Sequence, residues 1–429
     1  MNDQPSGPHV QQDSTGSPAS VRAFFRNQQS WLERLSTGDI SPTIPHTRIC
    51  HDETIRAVRT GRSGVVCIGE TSPDAVPELQ AFERTWRWLR SYGAQDMLVW
   101  AMNNRPAASL ALQARGFDLS FRPAWMSRPL TDDPETGMPR GITVRHATQQ
   151  DVDELRETPA IPYLIPDQVE MTRKLALGSQ VPVVHWLIAR DRNGVLGQAI
   201  VNLTDEIAGL FNVAVHPDAR RRGIGTALTI AAMRVAREHG ATRIALNATA
   251  EGLPMYRNLG FSHDGDGMTW FLPARRARFL PDPATVATAE AIGAGRIDEL
   301  DPDALPLSLP NGDMPMSFAG RFGQREMVRW LLERGAKPDL MALWDVGLRE
   351  EAVLAMNDPI VLNRPTGPER ATPLHHAVRL GDELLVELLI TAGANLAARD
   401  AQFRSTPLGW AVHFGRHRIV GMIHEAGGT

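Results

Sequence analysis

The chain has 429 residues, 42% of them apolar and 22% charged, with a formal net charge of −4. That length predicts about three domains at the usual ~100–200 residues each; the apolar content excludes a wholly disordered chain, and the charge balance removes the general attraction that would draw nucleic acid or a membrane surface to it. Two cysteines, Cys50 and Cys67, cannot build a disulfide framework or a cysteine-rich zinc site, no apolar run nears the ~20 residues of a membrane helix, and the polar start lacks a signal-like core, so a cytoplasmic location is expected.

In chain order, residues 1–18 are rich in Gln, Ser, Pro, Gly and Asp and are expected to be a disordered tail. Two further polar stretches, 131–141 and 273–283, read as linkers by their Pro, Gly and Asp content. They divide the chain into segments 19–130, 142–272 and 284–429. In the middle segment, short β-branched and aromatic runs at 142–147, 185–189, 195–201 and 208–215 predict strands. Asn193-Gly194 between the second and third predicts a tight hairpin, because both residues tolerate positive φ. Residues 225–238 carry Ala227, Leu228, Ala231, Ala232 and Val235 at helical spacing, and Gly240 is placed to end that helix. A strand at 243–246, a short helix at 253–259 and a strand at 268–272 complete a mixed α/β domain.

Between the strand ending at Val215 and the helix lies Arg220-Arg-Arg-Gly-Ile-Gly-Thr226. Free backbone N–H groups at a helix start favour an anion, and Gly223 and Gly225 let a phosphate approach the chain closely. The Gly-Lys-Ser/Thr of a Walker loop is absent, and Leu228 stands where a dinucleotide loop needs its third glycine. This loop, followed by Leu246-Asn-Ala-Thr-Ala-Glu-Gly-Leu-Pro-Met-Tyr-Arg-Asn-Leu-Gly-Phe261, resembles the GNAT superfamily of acetyl-CoA-dependent N-acyltransferases over about 142–272. The resemblance implies a GNAT fold, a mixed and mostly antiparallel sheet flanked by helices.

It also implies roles. The backbone of Val213 and Val215 would bond the pantetheine arm of acetyl-CoA, and Arg220, Arg221, Arg222, Gly223, Ile224, Gly225 and Thr226 would hold the pyrophosphate, with Asn247 a further cofactor contact. Tyr256 would be the general acid, since a departing thiolate takes a proton from a phenol held against it. Some relatives carry a glutamate base where this chain has Gly209; Asp205 and Glu206 lie just upstream, in a charged hairpin read as solvated. No cysteine lies in the segment, so direct attack by an amine in a ternary complex is expected, without a metal. Tyr163 falls in the region that would border the acceptor.

The first segment echoes the second. Gly93-Ala-Gln-Asp-Met-Leu-Val-Trp100 parallels Gly240-Ala-Thr-Arg-Ile-Ala-Leu-Asn247, and Arg115-Gly-Phe117 parallels Leu259-Gly-Phe261. Val76-Pro77-Glu78 replaces the loop of arginines and glycines, and Leu112 replaces Tyr256. Segment 19–130 therefore resembles a degenerate, partial GNAT-like α/β domain, with Trp86, Trp88 and Trp100 expected in packing roles. In the third segment, Thr372-Pro-Leu-His-His-Ala377 recurs 34 residues later as Thr406-Pro-Leu-Gly-Trp-Ala411, and glycines fall in register at 323, 381 and 415. This resembles ankyrin repeats, whose unit is about 33 residues, and implies an all-α solenoid over 284–429 that binds a protein partner. In such repeats the first histidine, here His375, bonds the turn backbone. The sequence reading is an acetyl-CoA-dependent N-acyltransferase acting on an amine of unknown identity; the alternative is an acyl-CoA-binding scaffold without turnover.

Overall fold

A computed structural model describes residues 19–36, 49–52, 55–60, 63–68, 79–101, 106–131, 139–158, 160–161, 166–178, 183–204, 207–249, 251–277, 281–367, 369–401 and 403–428. The expected tail 1–18, Val76–Glu78, Tyr163, Asp205 and Glu206 lie outside them. The chain forms two compact units, one of residues 1–105 and 119–278, the other of residues 106–118 and 279–429.

The elements begin with α1 (Ala19–Ser36), β1 (Ile49–Asp52), β2 (Ile55–Thr60), β3 (Ser63–Ile68), α2 (Leu79–Ser91), β4 (Asp96–Ala101), α3 (Pro106–Ala114), β5 (Asp118–Phe121) and β6 (Ala124–Pro129). There follow β7 (Thr143–His146), α4 (Gln149–Glu157), α5 (Pro166–Leu177), β8 (Val184–Asp191), β9 (Gly194–Leu203) and β10 (Ala208–Val215). Then come α6 (Ile224–Glu238), β11 (Arg243–Ala248), α7 (Leu253–Asn258), β12 (Ser262–Asp266), β13 (Met268–Leu272) and the short α8 (Ala274–Ala277), which lies within the expected linker 273–283.

The strands make two sheets, β1-β2-β3-β4-β13-β5 and β12-β6-β11-β10-β9-β8-β7. The expected boundary between segments 19–130 and 142–272 is therefore not a boundary between sheets: β6 enters the second sheet against β11 and β12, and β13 enters the first against β4. The exchange happens because β5–β6 and β12–β13 each cross from one sheet to the other at a bend. There Gly267 N–H donates to Pro123 O at 2.9 Å, and a Cβ at Gly267 would come within 2.4 Å of the Trp125 ring.

β8 and β9 are buried over most of their length because both faces of the second sheet are covered. One face packs on α6 and α7 through Leu210, Leu228, Met233, Leu246 and Phe261. The other packs on α1, α4 and α5 through Phe24, Trp31, Leu155, Trp186 and Phe211. The hairpin between β8 and β9 forms as expected, but its turn is Arg192-Asn193, one residue earlier: Asp191 pairs with Gly194, Asp191 Oδ1 accepts from Asn193 N–H at 2.8 Å, and of the two residues expected at positive φ only Gly194, at +142°, adopts it. A Cβ on Gly194 is also closed off, since it would lie 2.3 Å from Glu154 Oε1.

The second unit continues with α9 (Pro283–Ala294), α10 (Pro315–Arg321), α11 (Arg325–Glu333), α12 (Leu340–Asp345), α13 (Arg349–Ala355) and α14 (Pro359–Leu362). It ends with the pairs α15 (Pro373–Leu380) and α16 (Glu383–Thr391), then α17 (Pro407–His413) and α18 (His417–Glu425). Prolines at the first helical position and threonine caps at 372 and 406 start the inner helices, where a missing N–H costs nothing. His375 bonds the turns on both sides: Thr372 N–H donates to its Nδ1 at 3.3 Å, and its Nε2 lies 3.1 Å from Ser405 O. Residues 106–118, taken from sequence as part of the first domain, belong to this unit. Leu110 and Ala114 complete the apolar face of α9 and α10, and Arg115, 5% exposed, pairs with Glu290 at 2.8 Å.

Candidate functional site

β9 and β10 pair as far as Phe211 with Ile200 and resume at Ala214 with Gln198, so β10 holds one extra residue there. Asn212, at φ +50°, takes up the surplus. Such a bulge bends and twists its strand. On the other side β10 runs parallel to β11 only through Ala208, Gly209 and Leu210, paired with Ile244, Ala245 and Leu246. Beyond Leu210 the two strands part at their carboxyl ends, the place where open sheets with parallel neighbours form crevices. A cavity of about 780 Å³ lies there.

Most residues singled out by sequence meet in this cavity. Val213 and Val215 line it from the parted half of β10, and Asn247 from β11. Arg220, Arg221, Gly223, Ile224, Gly225 and Thr226 line it from the loop and the start of α6. Arg222 is not part of the wall; its guanidinium lies 3.9 Å from Asp191. Arg221 at φ +60° and Gly223 at φ +76° alternate the backbone hand just before α6, and no side chain caps that helix. Alternation of this kind turns successive N–H groups toward one point, which suits an anion. Gly225 allows close packing, since a Cβ there would sit 3.1 Å from Met255 Sδ. Tyr256 is 7% exposed, packs edge-on against Phe261 at 5.6 Å between centroids, and borders the same cavity.

Gly209 does not border the cavity; it sits under α1, where a Cβ would lie 2.0 Å from Asn27 Oδ1 and 2.6 Å from the Phe211 ring. Asn27 is fixed there, donating to Asn202 O at 3.0 Å and Ile207 O at 2.9 Å. A glutamate at 209 has no room. Sequence reasoning also missed the part of the cavity wall that comes from outside the middle segment. Gln28, Trp31 and Leu32 reach it from α1, and Val65, Leu98 and Trp100 from the first sheet, with Phe121 at the end of β5. Trp100, expected in packing, is thus a wall residue, set edge-on to Phe121 at 5.4 Å. No pattern along the chain joins these residues; only their aromatic character was available as a signal.

Charge is segregated in the cavity. Its ionisable lining residues among those described are Arg220, Arg221, Glu251 and Tyr256, all on the β10–α6 and β11–α7 side. Glu251 is largely exposed and lies 3.7 Å from Arg220. The described lining residues from α1 and the first sheet, Gln28, Trp31, Leu32, Val65, Leu98, Trp100 and Phe121, are uncharged.

Residues 152–261 match the model of the Acetyltransferase (GNAT) family, and residues 369–401 match the ankyrin repeat. Among curated proteins, the chain is 26% identical over 201 residues to a mycothiol acetyltransferase of Nocardioides sp., covering 39% of this chain and 66% of that protein. It is 29% identical to the mycothiol acetyltransferase of Clavibacter sepedonicus, covering 40% and 61%. The chain thus spans just under two thirds of the length of these relatives. Among solved structures, a GCN5-related N-acetyltransferase from Kribbella flavida is similar at 15% identity and a TM-score of 0.41, covering 59% of this chain and 95% of that one. A tandem GNAT protein from the clavulanic acid biosynthesis pathway is similar at 14% identity and a TM-score of 0.37, covering 51% and 78%.

Proposed function

The chain carries a GNAT acetyltransferase domain at residues 152–261 and a C-terminal ankyrin repeat, and from that premise we propose that it transfers an acetyl group from acetyl-CoA to an amine in a ternary complex. The observation that supports this best is one cavity bringing together the unpaired half of β10, a loop with alternating backbone hand at an uncapped helix start, and Tyr256. In this reading the pantetheine arm extends along Val213 to Val215 as an added strand. The pyrophosphate lies on the N–H groups from Arg221 to Thr226, with Arg220 and Arg221 adding charge and Asn247 contacting the cofactor arm. Arg222 faces Asp191 and contributes to the local potential only.

The amine attacks the thioester carbonyl, and Tyr256 gives its proton to the departing thiolate. An N–H near Val215 stabilises the oxyanion. We read the first sheet as a copy that has lost its own loop and now walls the acceptor side, and the ankyrin unit as a protein-docking module. The test is acetyl-CoA binding by calorimetry together with thiol release across an amine panel. Turnover supports the transferase; tight acetyl-CoA binding with no turnover on any acceptor leaves the scaffold reading; no binding overturns both.

A further inference from the structure

The bulge in β10 brings a side chain as well as a bend to the cavity. Asn212 borders it between Phe211 and Val213 and is half-buried. Its carboxamide makes no hydrogen bond among the described residues, yet neither of its polar atoms is sealed inside the protein. The bulge needs a residue that tolerates φ +50°, which glycine does at no steric cost and asparagine at little. The bend alone therefore does not call for the carboxamide.

Its place along β10 indicates what the carboxamide meets. The loop proposed to seat the pyrophosphate follows Val215 in the chain, so an arm laid along Val213 to Val215 leads from that loop toward Asn212. The acceptor then comes in beyond the arm, on the side of Phe211, which stacks on Trp31 at 5.8 Å. An attacking amine reacts only when its lone pair points at the thioester carbon, and that orientation is held through its N–H groups. Resting on the acetyltransferase reading, we propose that Asn212 binds the acceptor: its Oδ1 accepts an N–H of the neutral amine and turns the nitrogen lone pair toward the thioester. The backbone N–H near Val215 keeps the oxyanion, so the amine rather than the carbonyl takes the carboxamide. The nitrogen lone pair forms the C–N bond to the acetyl carbon as the C–S bond breaks; the nitrogen then loses one proton to water, and the CoA sulfur gains one from Tyr256.

The experiment uses the full chain with acetyl-CoA, following thiol release for benzylamine, cyclohexylamine and spermidine in the wild type, Asn212→Gly and Asn212→Asp. Both replacements accept a positive φ, so the bulge is kept. Asn212→Gly should lower kcat/KM for whichever amine turns over by about 10-fold or more, the loss expected when a held nucleophile is set loose, with KM for acetyl-CoA unchanged. Asn212→Asp, which keeps an oxygen at the same place, should restore kcat/KM to within about 3-fold of wild type, the worth of a modest hydrogen-bond difference. Full activity of Asn212→Gly overturns the inference and leaves the transferase reading standing, with the side chain serving the turn alone. Equal loss in Asn212→Asp overturns it too, by giving the role to the amide N–H, and a loss confined to KM for acetyl-CoA does so by placing the carboxamide on the cofactor. Acetyl-CoA binding without turnover of any of the three amines overturns the inference and favours the scaffold. Failure to bind acetyl-CoA overturns the transferase reading itself.

Discussion

The helix–turn–strand units α2–β4 and α6–β11 close in the same way. Gly93 N–H donates to Arg90 O at 2.9 Å and Ala94 N–H to Leu89 O at 3.0 Å; Gly240 donates to Arg237 O at 2.9 Å and Ala241 to Ala236 O at 3.0 Å. The next helices match too, since Phe117 N–H donates to Leu112 O at 3.1 Å and Phe261 N–H to Tyr256 O at 3.0 Å. The difference lies between the parallel strands. β3 and β4 pair across six residues, from Ser63 with Asp96 to Ile68 with Ala101, whereas β10 and β11 pair across three and then diverge. β3 also pairs with β2 in an unbroken register, whereas β10 carries the bulge at Asn212. Among the described residues, the two parallel pairs thus differ by the one residue inserted in β10 and by the parting of β10 from β11 beside the cavity. The glycine turns that the halves share are structural; the glycines they do not share mark the candidate site.

The widest gap between the halves should open at the loop. Gly223→Glu places a carboxylate where a phosphate is proposed, at a φ that a side chain resists; acetyl-CoA affinity should fall by more than about 10²-fold by calorimetry, and an unchanged affinity would remove the phosphate assignment. Next in size, Tyr256→Phe should lower kcat by about 10²-fold, within the usual range for a general acid, with acetyl-CoA affinity unchanged. The matching Leu112→Met in the other half should leave turnover intact, and equal kinetic damage from both would erase the distinction.

A third change asks whether the open half tolerates the glutamate found in some relatives. Gly209→Glu should instead destabilise the fold by about 1–3 kcal/mol in urea melts, the cost of overpacking, with no gain in turnover, because Asn27 and Phe211 occupy the space. Smallest is an effect of pH. His185 is 3% exposed and lies beside His239 and His146; burial first, then those two neighbours, push its imidazole down to about 4. The unfolded value is about 6.5, so the unfolded chain takes up the proton first. The stabilisation is complete above pH 6.5 and is lost as pH falls toward 4. His185→Asn should flatten stability against pH in that window by about 2 kcal/mol, measured by urea melts at stepped pH; an unaltered slope would show that His185 titrates normally.

Much of the open half was legible because its signals are local. β10 spans Ala208–Val215 as its apolar run predicts, and α6 covers Ile224–Glu238, one residue earlier than its spacing suggests. The loop residues and Tyr256 were found because a strand, two glycines and a tyrosine keep fixed distances along the chain. What could not be read was partnership. α1 carries Trp31 and Gln28 to the cavity and Asn27 to Gly209, across 175 residues of sequence to Asn202, and helical periodicity does not name the surface that a helix covers. β12, all five of whose residues are polar, charged or glycine, has none of the apolar alternation that marks a strand. The repeat unit shows the same limit: its threonine, proline and glycine signals placed the helices, but nothing in residues 106–118 announced that α3 joins α9.

The crossing at Pro123 and Gly267 bears on how the chain reaches its native state during synthesis. The first sheet lacks β13 until residue 272 has been made, so β4, emerging early, has to wait with one edge unsatisfied for most of the unit's translation. A waiting strand edge is a template for pairing with another chain, and closing so long a loop slows folding more than it weakens the final structure. Expression at high rate, or a fragment ending near residue 130, should therefore yield aggregates seeded by β4, while the completed chain, once closed, carries no such hazard at that edge.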